Sequence, residues 1–168
     1  MLQKFDERNR NLIVNVSGEL VHRDQARISP FDSSVQGGDA VWEGLRLYSG
    51  RIFRLEQHLD RLVNSAKALA FAQIPTREAI THEIRRTLEA NGMRDGVHIR
   101  LMVTRGVKAT PYQDPRVTIS PATIVIIPEY KSPSPEKFER GMTLHTVNVR
   151  RGAPDVQDQK LNSHSKLN

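Results

Sequence analysis

The stretch DAVWEGLRLYSGRIFRLEQHLDRL, Asp39 to Leu62, changes period halfway along. Its segments VWEGLRLY and RIFRL flank Ser49-Gly50, a pair suited to a tight hairpin turn. From Leu55 the spacing lengthens: Leu55, Leu59, Leu62, Ala66 and Leu69 recur at alternating steps of four and three, the apolar stripe of an α-helix. Glu56, Asp60, Arg61 and Lys67 fall outside the stripe. A strand hairpin therefore leads directly into a helix. Arg54 stands at the junction, behind a Trp42-Glu43-Gly44 run that reads as buried. The plain reading is a structural hairpin and a solvated helix. The sharper one is a cation placed at a helix start, where backbone amides already favour an anion.

Outward from this stretch the same grammar continues. LIVNVSGELVHR (Leu12 to Arg23) reads as two short strands about Ser17-Gly18. ISPFDSSVQGGD (Ile28 to Asp39) is loop by composition, with Gly37-Gly38 free to take positive φ or to let backbone come close. A second helix is predicted from about Thr76 to Asn91, with Thr76 as N-cap, Glu78 in the first turn and Gly92 at its end. VHIRLMVTRG (Val97 to Gly106) is the clearest strand. Val97, Ile99, Leu101 and Val103 face one way; His98, Arg100, Met102 and Thr104 face the other. GVKATPYQDPRVTISP reads as loop, ATIVIIP as a buried strand, EYKSPSPEKFERG as a second loop and MTLHTVNV (Met142 to Val149) as a last strand. The sum is an α+β fold: a mostly antiparallel sheet with two helices.

Composition narrows the function. With 38% apolar and 26% charged residues in 168, the chain belongs to the globular class and can bury a real core. No apolar run is long enough to span a membrane, and MLQKFDERNRN lacks a signal-peptide core, so no membrane partner is expected. Cysteine is absent, which excludes disulfides and permits a cytoplasmic setting. The six histidines form no HxxxH or HExxH pair, so no metal site is expected. A net charge of +6 suits an anionic partner. Nucleic acid is not expected, because aromatics are only 5% and the basic residues are dispersed. The signatures GxSxG, GxxxxGK[ST] and GxGxxG are missing, which removes serine-hydrolase, P-loop and dinucleotide readings.

Three places could carry chemistry. His98 and Arg100 share one face of a strand, either an ordinary solvated sheet surface or a pocket floor on which Arg100 pairs a carboxylate. Arg54 is either one more surface arginine or a phosphate contact. Lys160 and Lys166, in QDQKLNSHSK, are both eligible for imine chemistry, which needs an amine kept unprotonated by burial or nearby charge.

Four blocks together resemble the class IV aminotransferases, the fold-type IV pyridoxal-phosphate enzymes that include branched-chain and D-amino-acid aminotransferases: RISPFDSSVQGGDAVWEGLRLYSGRIFRLEQHLDRLVNSAKAL, GVHIRLMVTRG, ATIVIIPEY and GMTLHTVNVRRGAPDVQDQK. The likeness covers nearly the whole chain from about Leu12. It implies residues 1–130 as the family's small N-terminal α+β domain, with 131–168 as the interdomain linker and the start of the larger domain. It also implies pyridoxal 5'-phosphate as cofactor, amino-acid and 2-oxo-acid substrates and a homodimer. By the same resemblance Arg54 binds the cofactor phosphate, and Trp42, His98 and Arg100 bind substrate. Lys160 is the preferred Schiff-base lysine, with Lys166 as the alternative, because Lys166 would leave a long gap from Pro154. Gly37 and His98 stand where many branched-chain members have tyrosine, which removes two phenols from the substrate pocket. Transamination of a branched-chain-like amino acid is the expected activity. The alternatives are a D-amino-acid or amine transaminase or a lyase of the same family, or a non-catalytic binding or dimerisation module.

Overall fold

The computed structural model describes residues 5–165 apart from 151, 154, 157 and 159, so Lys166 lies outside the described residues. Six strands form one antiparallel sheet: β1 (Ile13–Val16), β2 (Glu19–His22), β3 (Ala40–Tyr48), β4 (Arg51–Ile52), β5 (Val97–Thr104) and β6 (Ile124–Tyr130). Their spatial order is β2-β1-β6-β5-β3-β4. The helices among the described residues are α1 (Ser33–Gly37), α2 (Leu55–Ala68), α3 (Arg77–Ala90) and α4 (Pro135–Arg140). The α+β architecture expected from the sequence is the one observed.

Both hairpins turn as the Ser-Gly pairs predict. Ser17 and Gly18, like Ser49 and Gly50, all have positive φ. That geometry matches the right-handed twist of the flanking strands. The paired alternation of β3 and β5 builds the core. Val41 lies opposite Val103, Leu45 opposite Ile99 and Leu47 opposite Val97, all buried. α2 covers β3 with its predicted stripe, and Leu59, Leu62 and Ala66 are fully shielded. α3 lies over β1 and β6 and contributes Ile80, Ile84 and Leu88. Its position is set by side chains that reach β1. Asn91 exchanges two hydrogen bonds of 2.8 Å with the Ile13 backbone, and buried Asn15 donates to Glu83 at 2.6 Å.

Three expectations are corrected. The loop before β3 contains the short helix α1, because the Asp32 carboxylate accepts from the Ser34 amide and hydroxyl and nucleates a turn. Five residues are too few to show a period. The second polar loop likewise contains α4, with proline at its first turn. The third concerns Met142 to Val149, which form no strand. Met142, Leu144, Val147 and Val149 are exposed, and no strand edge among the described residues pairs with them.

One buried charge locks α2 to the sheet. Glu43 projects from β3 on the helix side and is 0% exposed. Arg61 donates to both of its oxygens at 2.6 Å, and the His58 Nδ1 lies 2.8 Å away. That pairing holds the Arg61 pKa above its ordinary value. Replacing Arg61 by alanine leaves a buried carboxylate with only His58, and should cost about 2–4 kcal/mol, somewhat below a fully buried pair because Arg61 itself is half exposed. The Arg61→Ala/Glu43→Gln double variant should lose less than the two single losses added together. Urea unfolding of the four proteins measures this; additive losses would show that the pair is not coupled.

Candidate functional site

The face of the sheet away from α2 and α3 has a different chemistry. In the β3–β5 register, Trp42 sits opposite Met102, Gly44 opposite Arg100 and Arg46 opposite His98. Gly44 is the gap that lets these side chains meet. A Cβ at that position would lie 3.2 Å from the His98 Nε2 and 3.6 Å from the Trp42 ring. Across the gap, the Arg100 guanidinium stacks 3.9 Å from the centroid of the Trp42 indole. That cation–π contact sets the guanidinium against a flat apolar surface. Trp42, His98 and Arg100 are all half-buried. The structure therefore brings together three of the residues singled out in the sequence.

The surroundings are cationic. Arg46 donates to the Lys131 carbonyl at 2.7 Å, and Glu129 lies opposite His98 on β6. Burial pushes the His98 pKa below its usual 6.5, and the charges of Lys131, Arg46 and Arg100 push it the same way against Glu129. The sign follows from linkage. Below about pH 6.5 the unfolded chain takes up a proton that folded His98 refuses, so stability falls with pH until the lowered folded pKa is passed. His98→Gln should flatten that part of the profile. Urea unfolding between about pH 7 and 5 checks it, and an unchanged slope would remove His98 from the account.

The tail closes one side of this face. β4 pairs only with Leu47 and Tyr48, which leaves the first residues of β3 with an open edge. Residues 162–164 occupy it. The Trp42 amide donates to the Asn162 carbonyl at 3.1 Å, the Asn162 side-chain amide donates to the Trp42 carbonyl at 2.5 Å, and the His164 amide donates to the Ala40 carbonyl at 2.7 Å. The Trp42 indole N–H donates to the Ser163 carbonyl at 3.2 Å. From α2, the Ser65 hydroxyl accepts the Asn162 amide at 3.1 Å.

Lys160 lies two residues before this contact, exposed on a turn where its amide donates to the Asp158 carboxylate at 2.9 Å. Arg54 is not drawn in. It is exposed at the start of α2 with φ of 49°, and its guanidinium lies 5.6 Å from the Phe53 ring. Eleven residues of helix separate it from Ser65, about 16 Å at the α-helical rise.

Sequence reasoning passed over Glu43, His58 and Arg61. A signal was there: Glu43 falls on the apolar side of the β3 alternation with Val41, Leu45 and Leu47, and its two partners stand three apart on α2. Asn162, in a tail without periodicity, had no such signal.

A domain built this way, one antiparallel sheet with two helices on one face and a cationic, tryptophan-bearing cluster on the other, has known relatives. The family description Amino-transferase class IV matches residues 40–167, and the chain belongs to that family. It is 48% identical over 95% of its length to Branched-chain-amino-acid aminotransferase-like protein 2 of Arabidopsis thaliana, of which it covers 28%. It is 27% identical over 88% of its length to a D-alanine aminotransferase of Staphylococcus epidermidis, of which it covers 52%. The fold matches the branched-chain amino acid aminotransferase of Escherichia coli with a TM-score of 0.76 at 20% identity, over 92% of this chain and 52% of that one. At 28% identity and a TM-score of 0.61 it also matches the T.th. branched-chain amino acid aminotransferase complexed with N-(5'-phosphopyridoxyl)-L-glutamate, over 70% of this chain and 40% of that one. The chain thus spans 28% of the plant relative, 40% of the T.th. enzyme and about half of the other two.

Proposed function

We propose that this chain forms the small-domain part of a pyridoxal-phosphate-dependent aminotransferase that moves an amino group between a branched-chain amino acid and a 2-oxo acid. The Arg100–Trp42 pair carries the reading, since it sets a forked cation against a flat apolar wall. An aliphatic amino acid offers the complement, a carboxylate for the fork and a side chain for the indole. The T.th. relative, complexed with a phosphopyridoxyl amino acid, supports the cofactor.

The residue types fit that cofactor. When bound, pyridoxal phosphate supplies the electron sink that makes the substrate Cα–H acidic. Arg100 would orient the substrate through its carboxylate, and Trp42 would limit the volume left for the side chain. His98 can donate one hydrogen bond while staying neutral near pH 7, since its pKa is lowered.

Lys160 is the proposed amine and the acceptor of the Cα proton. That role needs Lys160 covered, because an amine in water stays protonated at neutral pH. In this reading the cover comes from a larger domain, with residues 131–168 as the connection. The exposed apolar side chains of Met142, Leu144, Val147 and Val149 support this, as surface that lacks a cover. For the phosphate, Arg54 is the contact that the resemblance implies. The homodimer belongs to the same proposal.

Incubation with pyridoxal phosphate, borohydride reduction and peptide mass mapping tests the assignment. A pyridoxyl group is expected on the Lys160 peptide and should vanish in Lys160→Ala. Arg100→Ala should keep the label but weaken protection by leucine about 10- to 100-fold, as expected for the loss of a charge-assisted contact. Labelling at Lys166 would move the amine by six residues along the chain. No label, or labelling spread over exposed lysines, in a chain extended through the larger domain would overturn the reading.

A further inference from the structure

A cavity of about 350 Å³ opens on the helix side of the sheet, between the β3–β4 hairpin and the end of α3. The sheet itself separates it from the Arg100–Trp42 face, because Leu47 lines the cavity from the core side of β3. Leu47, Leu88 and Met93 give it an apolar floor, and all three are buried. Backbone contacts hold the walls in place. The Gly50 amide donates to the Arg94 carbonyl at 2.6 Å, and the Ser49 amide donates to the Asp95 carboxylate at 2.8 Å. On the other wall α3 is closed by the amides of Gly92 and Met93, which donate to the Glu89 and Leu88 carbonyls at 2.9 Å. Gly50 and Gly92 have the positive φ that a tight turn and a helix end require, and neither puts a side chain into the space.

The rim carries charge that the fold does not use. On α3, Arg77 is paired with Asp60 and Arg86 with Glu83, whereas Arg85 has no carboxylate within ion-pair distance among the described residues. The same holds for Arg94, in the loop that carries α3 into β5. Two guanidinium groups from different segments thus border one space. Glu89 is the one acidic residue among those lining it. Two positive charges against one negative favour a single negative charge over a phosphate dianion.

A floor for an aliphatic tail and forked donors for its head fit one chemical class. We infer that this cavity binds an aliphatic monocarboxylate, its head on Arg85 and Arg94 and its tail over Leu47, Leu88 and Met93. The volume falls in the range of small-molecule sites. The site does not depend on the aminotransferase reading, since no residue of the Arg100–Trp42 face takes part in it.

Methionine methyl groups report on the two faces separately. Met93 lines this cavity, and Met102 lies opposite Trp42 on the other face. The chain, isotope-labelled at its methionine methyl groups, is titrated by NMR with sodium hexanoate and, separately, with acetate at matched ionic strength. Hexanoate should shift the Met93 signal saturably, with a Kd of about 1–10 mM. Acetate lacks the tail and should bind about 10- to 100-fold more weakly. Arg85→Gln and Arg94→Gln should each weaken the Met93 response about 3- to 10-fold, and Arg100→Ala should leave it unchanged. Both arginines are exposed and hold no ion pair among the described residues, so each variant should keep the fold. A Met93 signal that does not saturate, a response confined to Met102, equal binding of the two acids, a Met93 response indifferent to both arginine variants, or its loss in Arg100→Ala would each overturn the proposal.

Discussion

The carboxylate of Glu43 is the constraint from which the rest of the arrangement follows. It is fully buried between sheet and helix, so its charge must be met, and it is met by Arg61 through two hydrogen bonds of 2.6 Å. An apolar stripe alone would tolerate some sliding of α2 along the sheet. A shift of one helical turn, about 5.4 Å, would strip the carboxylate of its partner. The ion pair thus converts a greasy contact into a defined register. That register brings Ser65 to the end of β3, where its hydroxyl accepts the Asn162 amide. Asn162 in turn lies against the open edge of β3 and holds the Trp42 carbonyl. A charge on the hidden face of one strand so sets the surroundings of a tryptophan on its opposite face.

The two faces of β3 show how alternation separates stability from chemistry. Val41, Leu45 and Leu47 belong to the core, and their neighbours Trp42, Gly44 and Arg46 belong to the cationic face. A shift of one residue in the β3–β5 register would exchange these sets, burying Arg46 and exposing Leu45. The core therefore enforces the geometry of the candidate site. Gly44 has a specific part in this. A Cβ there would press on the His98 ring at 3.2 Å, whereas the Trp42 ring at 3.6 Å would remain in ordinary contact.

Elements long enough to repeat their period were legible in the sequence. α2, α3 and β5 fall where the spacing of Leu59, Leu62 and Ala66, the Thr76 cap and the alternation from Val97 predict them. α1 and α4 were not legible, because each is held by a local capping interaction or a proline start over too few residues for a period to show. Met142 to Val149 mark the converse limit. Residue types state that a segment can serve as a strand, whereas a strand exists only against a partner edge. Of the candidate site, Trp42, His98 and Arg100 could be placed on common ground by alternation and resemblance. Arg54 could not, because the sequence places it at a helix start without saying which way that helix runs relative to the site.

The loops around the site are held by polar contacts that no periodicity announces. Asp32, buried before α1, accepts hydrogen bonds from Thr104 at 3.0 Å and from Thr123 at 2.7 Å, which ties the α1 segment to the end of β5 and the approach to β6. Thr104, expected on the open polar face with His98 and Arg100, is buried for this reason. Arg105, the next residue, clamps Asp39 and the end of α2 and lies 4.6 Å from the Phe71 ring centroid. Two consecutive residues at the end of one strand therefore join α1, the start of β3 and the end of α2.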